Sequence, residues 1–131
     1  MDDLRSNCPT SWRGSASIHT STYYTNGTWP FGILRIEPGR IEVKSLHRKI
    51  GFSPRDVVEL RMFRLPFPSM EVVFRNGKGY ALVTFSALRY KRMKALLVGA
   101  GFKVSSEIAV YTGWDMAERS TKYGLLQSGG D

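Results

Sequence analysis

The chain has 131 residues, a formal net charge of +8 and 42% hydrophobic residues, which favours one globular domain with its own core. Its single cysteine, Cys8, excludes an intramolecular disulfide and is typical of a reducing compartment. No stretch approaches the roughly 18 apolar residues of a membrane span, and the acidic, polar start lacks a secretory pattern. We therefore predict a soluble, cytoplasmic protein without a transmembrane segment. Peripheral association with a membrane is compatible with this prediction.

The N-terminal part of the chain gives the weakest pattern. Ser, Asn, Pro and Thr without periodicity predict a flexible arm over residues 1–15, with Trp12 docked on the domain. The Thr and Tyr content of residues 15–25 predicts a first strand. Asn26-Gly27 then predicts a turn.

Two hairpins give the clearest strand pattern. Pro38-Gly39 predicts the tight turn of the first, and Asn76-Gly77 predicts the turn of the second. Alternation of apolar and polar residues predicts the strands on both sides of each turn and between the hairpins. The predicted strands are residues 31–37, 40–46, 50–52, 57–64, 70–75 and 80–85.

After residue 85 the apolar residues take the period of a helix. Tyr90, Met93 and Leu97 fall in one arc of a helical wheel, and Ser86 is predicted to cap the first turn. We predict an amphipathic helix over residues 87–100 that packs this arc against the core.

The predicted fold class is mainly β, with a bent antiparallel sheet or partly open barrel capped by one helix. This domain is expected to span residues 16–112. Residues 113–131 are predicted to form a partly disordered extension, in which residues 115–123 favour a short helix.

The hydrophobic spacing carries a family resemblance over about residues 29–104. It rests on residues 32–43, residues 52–60, and residues 72–85 with the Leu96-Leu97 and Gly101-Phe102 pairs of the helix region. In these features the chain resembles the pleckstrin-homology-like (PH-like) superfamily, in particular its GRAM-type and bacterial members. The resemblance implies a helix-capped sheet that binds anionic lipid headgroups or protein and has no enzymatic activity.

No motif for catalysis or for a metal stands out. His19 and His47 are the only histidines, and neither has a carboxylate or nucleophile at motif spacing. The glycine-rich segment of residues 76–79 precedes a strand, whereas a phosphate loop precedes a helix. We predict that the protein is not an enzyme and binds no cofactor or metal.

The basic residues are the strongest functional indication. If those in the loops converge at one mouth of the barrel, they hold phosphate groups by charge-assisted hydrogen bonds. Phe52, Phe63 and Phe67 would then insert between lipid headgroups or stack on bases. The alternative is a solvated basic surface with these phenylalanines in the core. The residues predicted to contact a partner are Arg48, Lys49, Arg55, Arg61, Arg64, Arg75 and Phe67.

The function predicted from the sequence is a non-enzymatic PH-like binding module that contacts an anionic membrane surface or a protein partner. The alternative is a nucleic-acid-binding protein that uses the same basic faces.

Overall fold

The computed structural model of the protein describes residues 10–65, 67–86, 89–110 and 113–125. The fold is mainly β, and its eight strands form one partly open sheet. Two helices follow the seventh strand, α1 at Tyr90–Gly99 and α2 at Gly113–Tyr123. The strands are β1 Thr10–His19, β2 Tyr24–Glu37, β3 Arg40–Ser45, β4 Arg48–Phe52, β5 Val57–Leu65, β6 Ser69–Asn76, β7 Gly79–Ser86 and β8 Ser106–Val110.

The strand order in the sheet is β4-β3-β2-β1-β7-β6-β5-β8. All neighbours are antiparallel except β5 and β8, which run parallel. Residues of β1 to β7 on one face of the sheet form one continuous core, which α1 also contacts. The predicted mainly β fold with a helix on a partly open sheet is confirmed. The largest fully buried side chains of this core are Phe52, Phe74, Phe85, Ile18, Leu34, Ile41, Leu60, Met62, Met70 and Met93.

Both predicted hairpins are confirmed. In the β2–β3 hairpin, Glu37 lies opposite Arg40 and Pro38-Gly39 forms the turn. In the β6–β7 hairpin, Asn76 lies opposite Gly79 next to the turn. Gly39 has a φ of 75° and Gly77 a φ of 62°. Glycine adopts this left-handed region without a steric penalty, which explains its place in each turn.

The N-terminal predictions are partly wrong. β1 begins at Thr10, so residues 10–15 belong to the sheet instead of an arm; Cys8 and residues 1–9 lie outside the described part of the chain. Asn26-Gly27 lies inside β2, paired with Ser17 and Ala16. The extended ladder with β1 outweighs the local turn preference of this dipeptide.

The turn lies instead at residues 20–23, where the Thr20 hydroxyl organises the backbone. Its Oγ1 accepts the N–H groups of Thr22 at 3.2 Å and Tyr23 at 2.9 Å. Such side-chain-to-backbone bonds let Thr form a turn without glycine.

The pairing of β1 with β2 is interrupted between Gly14 and Ala16. Gly32 lies against this interruption, and a Cβ at this position would come within 2.6 Å of the Ala16 nitrogen. Only glycine permits so close an approach of two backbones. The register shift leaves residues 28–31 out of the β1 ladder, and Trp29 and Phe31 are exposed there.

Helix α1 begins at Tyr90, three residues later than predicted, and Arg89 precedes it without a side-chain cap. Ser86 is the last residue of β7, and its hydroxyl lies 2.7 Å from the Ser69 hydroxyl, so the predicted cap is wrong. Residues 87 and 88 lie outside the described residues. Tyr90, Met93 and Leu97 are buried, as the helical period predicts.

The end of α1 is a Schellman motif. The Phe102 N–H donates to the Leu97 carbonyl at 2.9 Å, and the Gly101 N–H donates to the Val98 carbonyl at 3.0 Å. The Ala100 carbonyl accepts the Gly39 N–H at 3.1 Å. This bond fixes the end of α1 at the β2–β3 turn.

Helix α2 lies on the outer face of the sheet, against β7, and includes the short helix predicted over residues 115–123. Tyr123 and Leu125 pack against Val73 and Leu82 in a second apolar cluster. In the described part of the chain, neither helix has the length or apolar character needed to cross a bilayer. Residues 126–131 lie outside the described range.

Candidate functional site

The outer face of the β4–β3–β2–β1 half of the sheet carries a transverse row of basic residues. Register places Lys49 opposite Lys44, Lys44 opposite Ile33, and Ile33 opposite Arg13. All three cations are exposed. Within the described residues, no carboxylate lies within salt-bridge distance of any of them. Like charges directly opposite each other on a sheet are unfavourable, so this row favours an anionic partner.

The β3–β4 turn lies at the end of this row and consists of Leu46 and His47. Leu46 has a φ of 57° and is 45% exposed. This left-handed conformation is an outlier for a residue with a bulky side chain, and glycine or asparagine is the usual occupant of such a turn. The Leu46 N–H donates to the Phe31 carbonyl at 3.2 Å, which brings a second exposed apolar residue beside the turn.

Of the predicted site residues, Arg48 and Lys49 follow directly after this turn. The Arg48 guanidinium lies 4.2 Å from the centroid of the Tyr23 ring, in cation–π geometry, and the residue remains exposed. Arg55 lies in the 3₁₀ turn Pro54–Asp56, at the far end of β4. The predicted loop set is therefore divided between two ends of the molecule.

Arg61 is buried and cannot contact a partner from solution. It is 4% exposed, and Glu71, which is 1% exposed, accepts from its Nε at 2.9 Å and its Nη2 at 2.5 Å. The two residues are direct cross-strand neighbours on the outer face. The charge of Arg61 is balanced by this carboxylate, so we remove it from the candidate site.

Arg64 lies near the end of β5 with its guanidinium 3.9 Å from the centroid of the Tyr90 ring. The Tyr90 hydroxyl donates to Glu107, which also accepts from Lys94 at 2.9 Å. Burial, the hydrogen bond and the charge of Glu107 raise the pKa of Tyr90 to about 12. The two hydrogen bonds lower the pKa of Glu107. This group therefore fixes α1 to β8 and leaves Arg64 at its rim.

Arg75 and Phe67 lie at opposite ends of β6. Arg75 pairs with Tyr80 beside the β6–β7 turn, whereas Phe67 lies in the β5–β6 loop and is 66% exposed. Phe52 and Phe63, which were also predicted to insert, are buried. The structure therefore does not bring the predicted residues to one mouth of a barrel.

An apolar cleft of about 300 Å³ lies on the outer face beside Phe67. Its walls are Trp29, Phe67 and Pro68, and Ser15 and Ser86 complete its lining. Ser15 and Ser86 are cross-strand neighbours of β1 and β7. The exposed Trp29 reaches this cleft because the β1–β2 register shift releases residues 28–31 from the ladder.

His19 has a neighbour that the sequence spacing did not indicate. Its Nε2 lies 3.1 Å from the Ser17 hydroxyl, which lies 2.6 Å from the Thr84 hydroxyl. Ser17 and His19 are both buried on the outer face, so we interpret the chain of hydrogen bonds as structural. His47 is exposed in the β3–β4 turn. Across the described residues, no three His, Cys, Asp or Glu side chains are grouped as a metal site would need.

Sequence reasoning missed the Lys44–Lys49 pair and the cleft. The pair was detectable, because a two-residue turn at Leu46-His47 places Lys44 opposite Lys49. The cleft was not, because its lining comes from four distant segments of the chain.

The comparisons with known proteins leave the family open. No family model matches this chain, and no curated protein matches its sequence.

Proposed function

We propose that this chain is a PH-like binding module that contacts an anionic membrane surface through its β3–β4 turn. The contact surface consists of Phe31, Lys44, Leu46, Arg48 and Lys49, which we call the turn surface. It lies at the end of β3 opposite the β2–β3 turn that contacts α1.

The strand order supports the PH-like assignment. The first seven strands, ordered β4-β3-β2-β1-β7-β6-β5 with a helix after β7, have the arrangement that the resemblance implies, and β8 and α2 lie beyond it. In lipid-binding members, basic residues of the first hairpin hold the phosphates. Here the first hairpin is β1–β2, and its turn at residues 20–23 has no Lys or Arg. We therefore propose that the chain binds anionic membrane surfaces in general and has no pocket for one particular phosphoinositide.

The position of Leu46 carries the proposal. An L-residue in the left-handed region costs about 1 kcal/mol or more, and because Leu46 stays 45% exposed, burial offsets this cost only in part. The side chain is nevertheless held at the tip of a turn, between Lys44 on one strand and Arg48 and Lys49 on the other. Strain at an exposed position points to a role outside the folded chain.

The charges around Leu46 complement an anionic bilayer. Lys44, Arg48 and Lys49 are all exposed, and each basic residue near such a surface contributes about 1 kcal/mol of attraction. Insertion of Leu46 and the neighbouring Phe31 adds burial of apolar surface. Together these terms favour reversible peripheral binding.

Leu46→Asn tests the proposal because it separates binding from stability. Asparagine tolerates a positive φ, so we expect the variant to be more stable by about 0.5 kcal/mol. Its binding to vesicles of phosphatidylcholine mixed with phosphatidylserine should fall about fivefold, because an apolar insertion is lost. Sedimentation of vesicles and chemical denaturation measure the two effects.

Val98→Asn is the matched control, since Val98 is 55% exposed on α1, away from the turn. It should leave vesicle binding unchanged. Equal binding by Leu46→Asn and the unmodified protein would contradict the proposal. Strong, salt-dependent binding to DNA or RNA without vesicle binding would assign the basic row to nucleic acid instead.

A further inference from the structure

The cleft walled by Trp29, Phe67 and Pro68 differs from the turn surface in shape and chemistry. Trp29 is 65% exposed and Phe67 is 66% exposed, although both are large apolar side chains. They stand on two sides of one cavity of about 300 Å³, the lower end of the range of ligand pockets. A concave site of this kind fits a protruding side chain better than a bilayer.

Two serine hydroxyls line the cleft, those of Ser15 and Ser86. One is able to donate a hydrogen bond to a ligand and the other to accept one. The Ser69 hydroxyl donates to the Phe67 carbonyl at 2.8 Å, so the 2.7 Å bond between Ser69 and Ser86 must be donated by Ser86. Within the described residues, no hydrogen bond other than this contact involves the Ser86 hydroxyl, and no donor uses its lone pairs.

Ser15 has the opposite capacity. Its Oγ accepts a hydrogen bond from the backbone N–H of Trp29 at 3.0 Å. Within the described residues, no acceptor for the Ser15 hydroxyl hydrogen is found. Ser15 and Ser86 are directly paired across β1 and β7. A donor and an acceptor side by side complement the C=O and N–H that one residue of extended chain presents on the same side.

The surroundings of the cleft are basic. Arg13 and Arg89 are exposed, and each lies within three residues of a lining residue. The segments 13–17, 27–31, 64–69 and 84–89 contain no Asp or Glu. Charge complementarity therefore favours an occupant with acidic groups on both sides of its apolar part.

From these observations we infer that the cleft binds an extended peptide of a partner protein. The apolar side chain of one peptide residue, such as leucine, lies between Trp29 and Phe67, and the C=O and N–H of that residue bond to Ser15 and Ser86. Acidic residues that flank the anchor face Arg13 and Arg89. This site is separate from the turn surface and goes beyond the proposed membrane contact.

A labelled heptapeptide with a central Pro-Leu-Pro and two acidic residues on each side is the probe. We expect saturable binding in fluorescence anisotropy, with a dissociation constant below about 1 mM. Amide resonances of residues 15, 29, 67 and 86 should shift on titration. The same peptide with lysines in place of the acids should bind at least about tenfold more weakly.

Phe67→Ala should weaken binding about tenfold, because an exposed aromatic wall is typical of an interface hot spot. Val98→Ala is the matched control, an exposed apolar residue outside the cleft, and should have no effect. Trp29→Ala is a second test from the opposite wall and should match Phe67→Ala. Leu46→Asn should leave peptide binding unchanged, so the two proposals fail independently.

Two results would overturn the inference. One is no saturable binding of the acidic peptide up to about 1 mM. The other is an equal loss of affinity in Phe67→Ala and Val98→Ala.

Discussion

The two halves of the outer sheet face use similar residues in opposite ways. On the β4–β3–β2–β1 half, Lys44 and Lys49 face each other in solvent with no carboxylate in reach among the described residues. On the β7–β6–β5 half, Arg61 faces Glu71 and both are buried. Helix α2 lies on this second half, against β7, and α1 does not cover the first.

The difference teaches that basic residues indicate binding only where the fold leaves them uncovered. The first half has unbalanced charge that a partner can neutralise, whereas the second has its charge neutralised inside the molecule. Net charge alone combines the two. Mutations that remove the charge pair from the second half, or create one in the first, therefore test this comparison.

Removal of the buried carboxylate should have the largest effect. Glu71→Ala leaves the Arg61 guanidinium buried without this partner, and we expect a loss of about 3–5 kcal/mol in the free energy of unfolding. Urea denaturation measures it. The double variant Arg61→Met with Glu71→Leu removes both charges and should recover most of the loss. A loss below about 1 kcal/mol for Glu71→Ala would show that the two halves do not differ as described.

The contacts that attach α2 to the sheet should contribute a smaller, pH-dependent amount to the free energy of unfolding. The Tyr123 hydroxyl donates to Glu59 Oε2 at 2.7 Å, and Arg119 lies 3.1 Å from Glu59 Oε1. Burial, followed by the hydrogen bond to Glu59, raises the pKa of Tyr123 to about 12. Tyr123→Phe should lower the free energy of unfolding by about 1 kcal/mol, less than a buried hydrogen bond to a carboxylate contributes, because Tyr123 is partly exposed.

The sign of the pH effect follows from the raised pKa. The contribution of Tyr123 is complete below the pKa of about 10 of an unfolded tyrosine, and it is lost as pH rises through about 12. The stability difference between the unmodified protein and Tyr123→Phe should therefore shrink over this range. A constant difference from pH 9 to 12 would contradict the role given to this bond.

The smallest expected effect has the opposite sign. Lys49→Glu replaces a like-charge pair across β3 and β4 by an opposite-charge pair, and should stabilise the protein by about 0.3 kcal/mol. The same change should strongly reduce binding to anionic vesicles. Lys49→Gln provides the comparison, since it removes the charge without reversing it. Destabilisation by Lys49→Glu would indicate that Lys49 already has a partner.

Local signals predicted the parts of the fold that depend on neighbours in sequence. Gly39 and Gly77 fixed two turns, and the period of Tyr90, Met93 and Leu97 gave the buried side of α1. Asn26-Gly27 misled because its partners in β1, Ser17 and Ala16, lie nine and eleven positions away in the sequence. Ser86 misled because β7 continues through it to pair with β1 and β6.

The candidate sites were less predictable. Arg61 and Lys44 both lie on alternating strands, and no local pattern distinguishes the one that is covered. Burial depends on tertiary contacts, which join residues as distant in the sequence as Tyr123 and Glu59, 64 positions apart. The lining of the cleft depends in the same way on the register shift between β1 and β2.

In the part of the chain that the structure describes, β4 and β8 are the edge strands of the sheet, and they are unequally protected. β4 carries Arg48 and Lys49, charges that discourage a further strand from pairing. β8 has Ala109 and Val110 exposed, and its one charged residue, Glu107, is held by Tyr90 and Lys94. Among the described residues, β8 is therefore the less protected edge, and its length of only five residues limits how far another strand can pair with it.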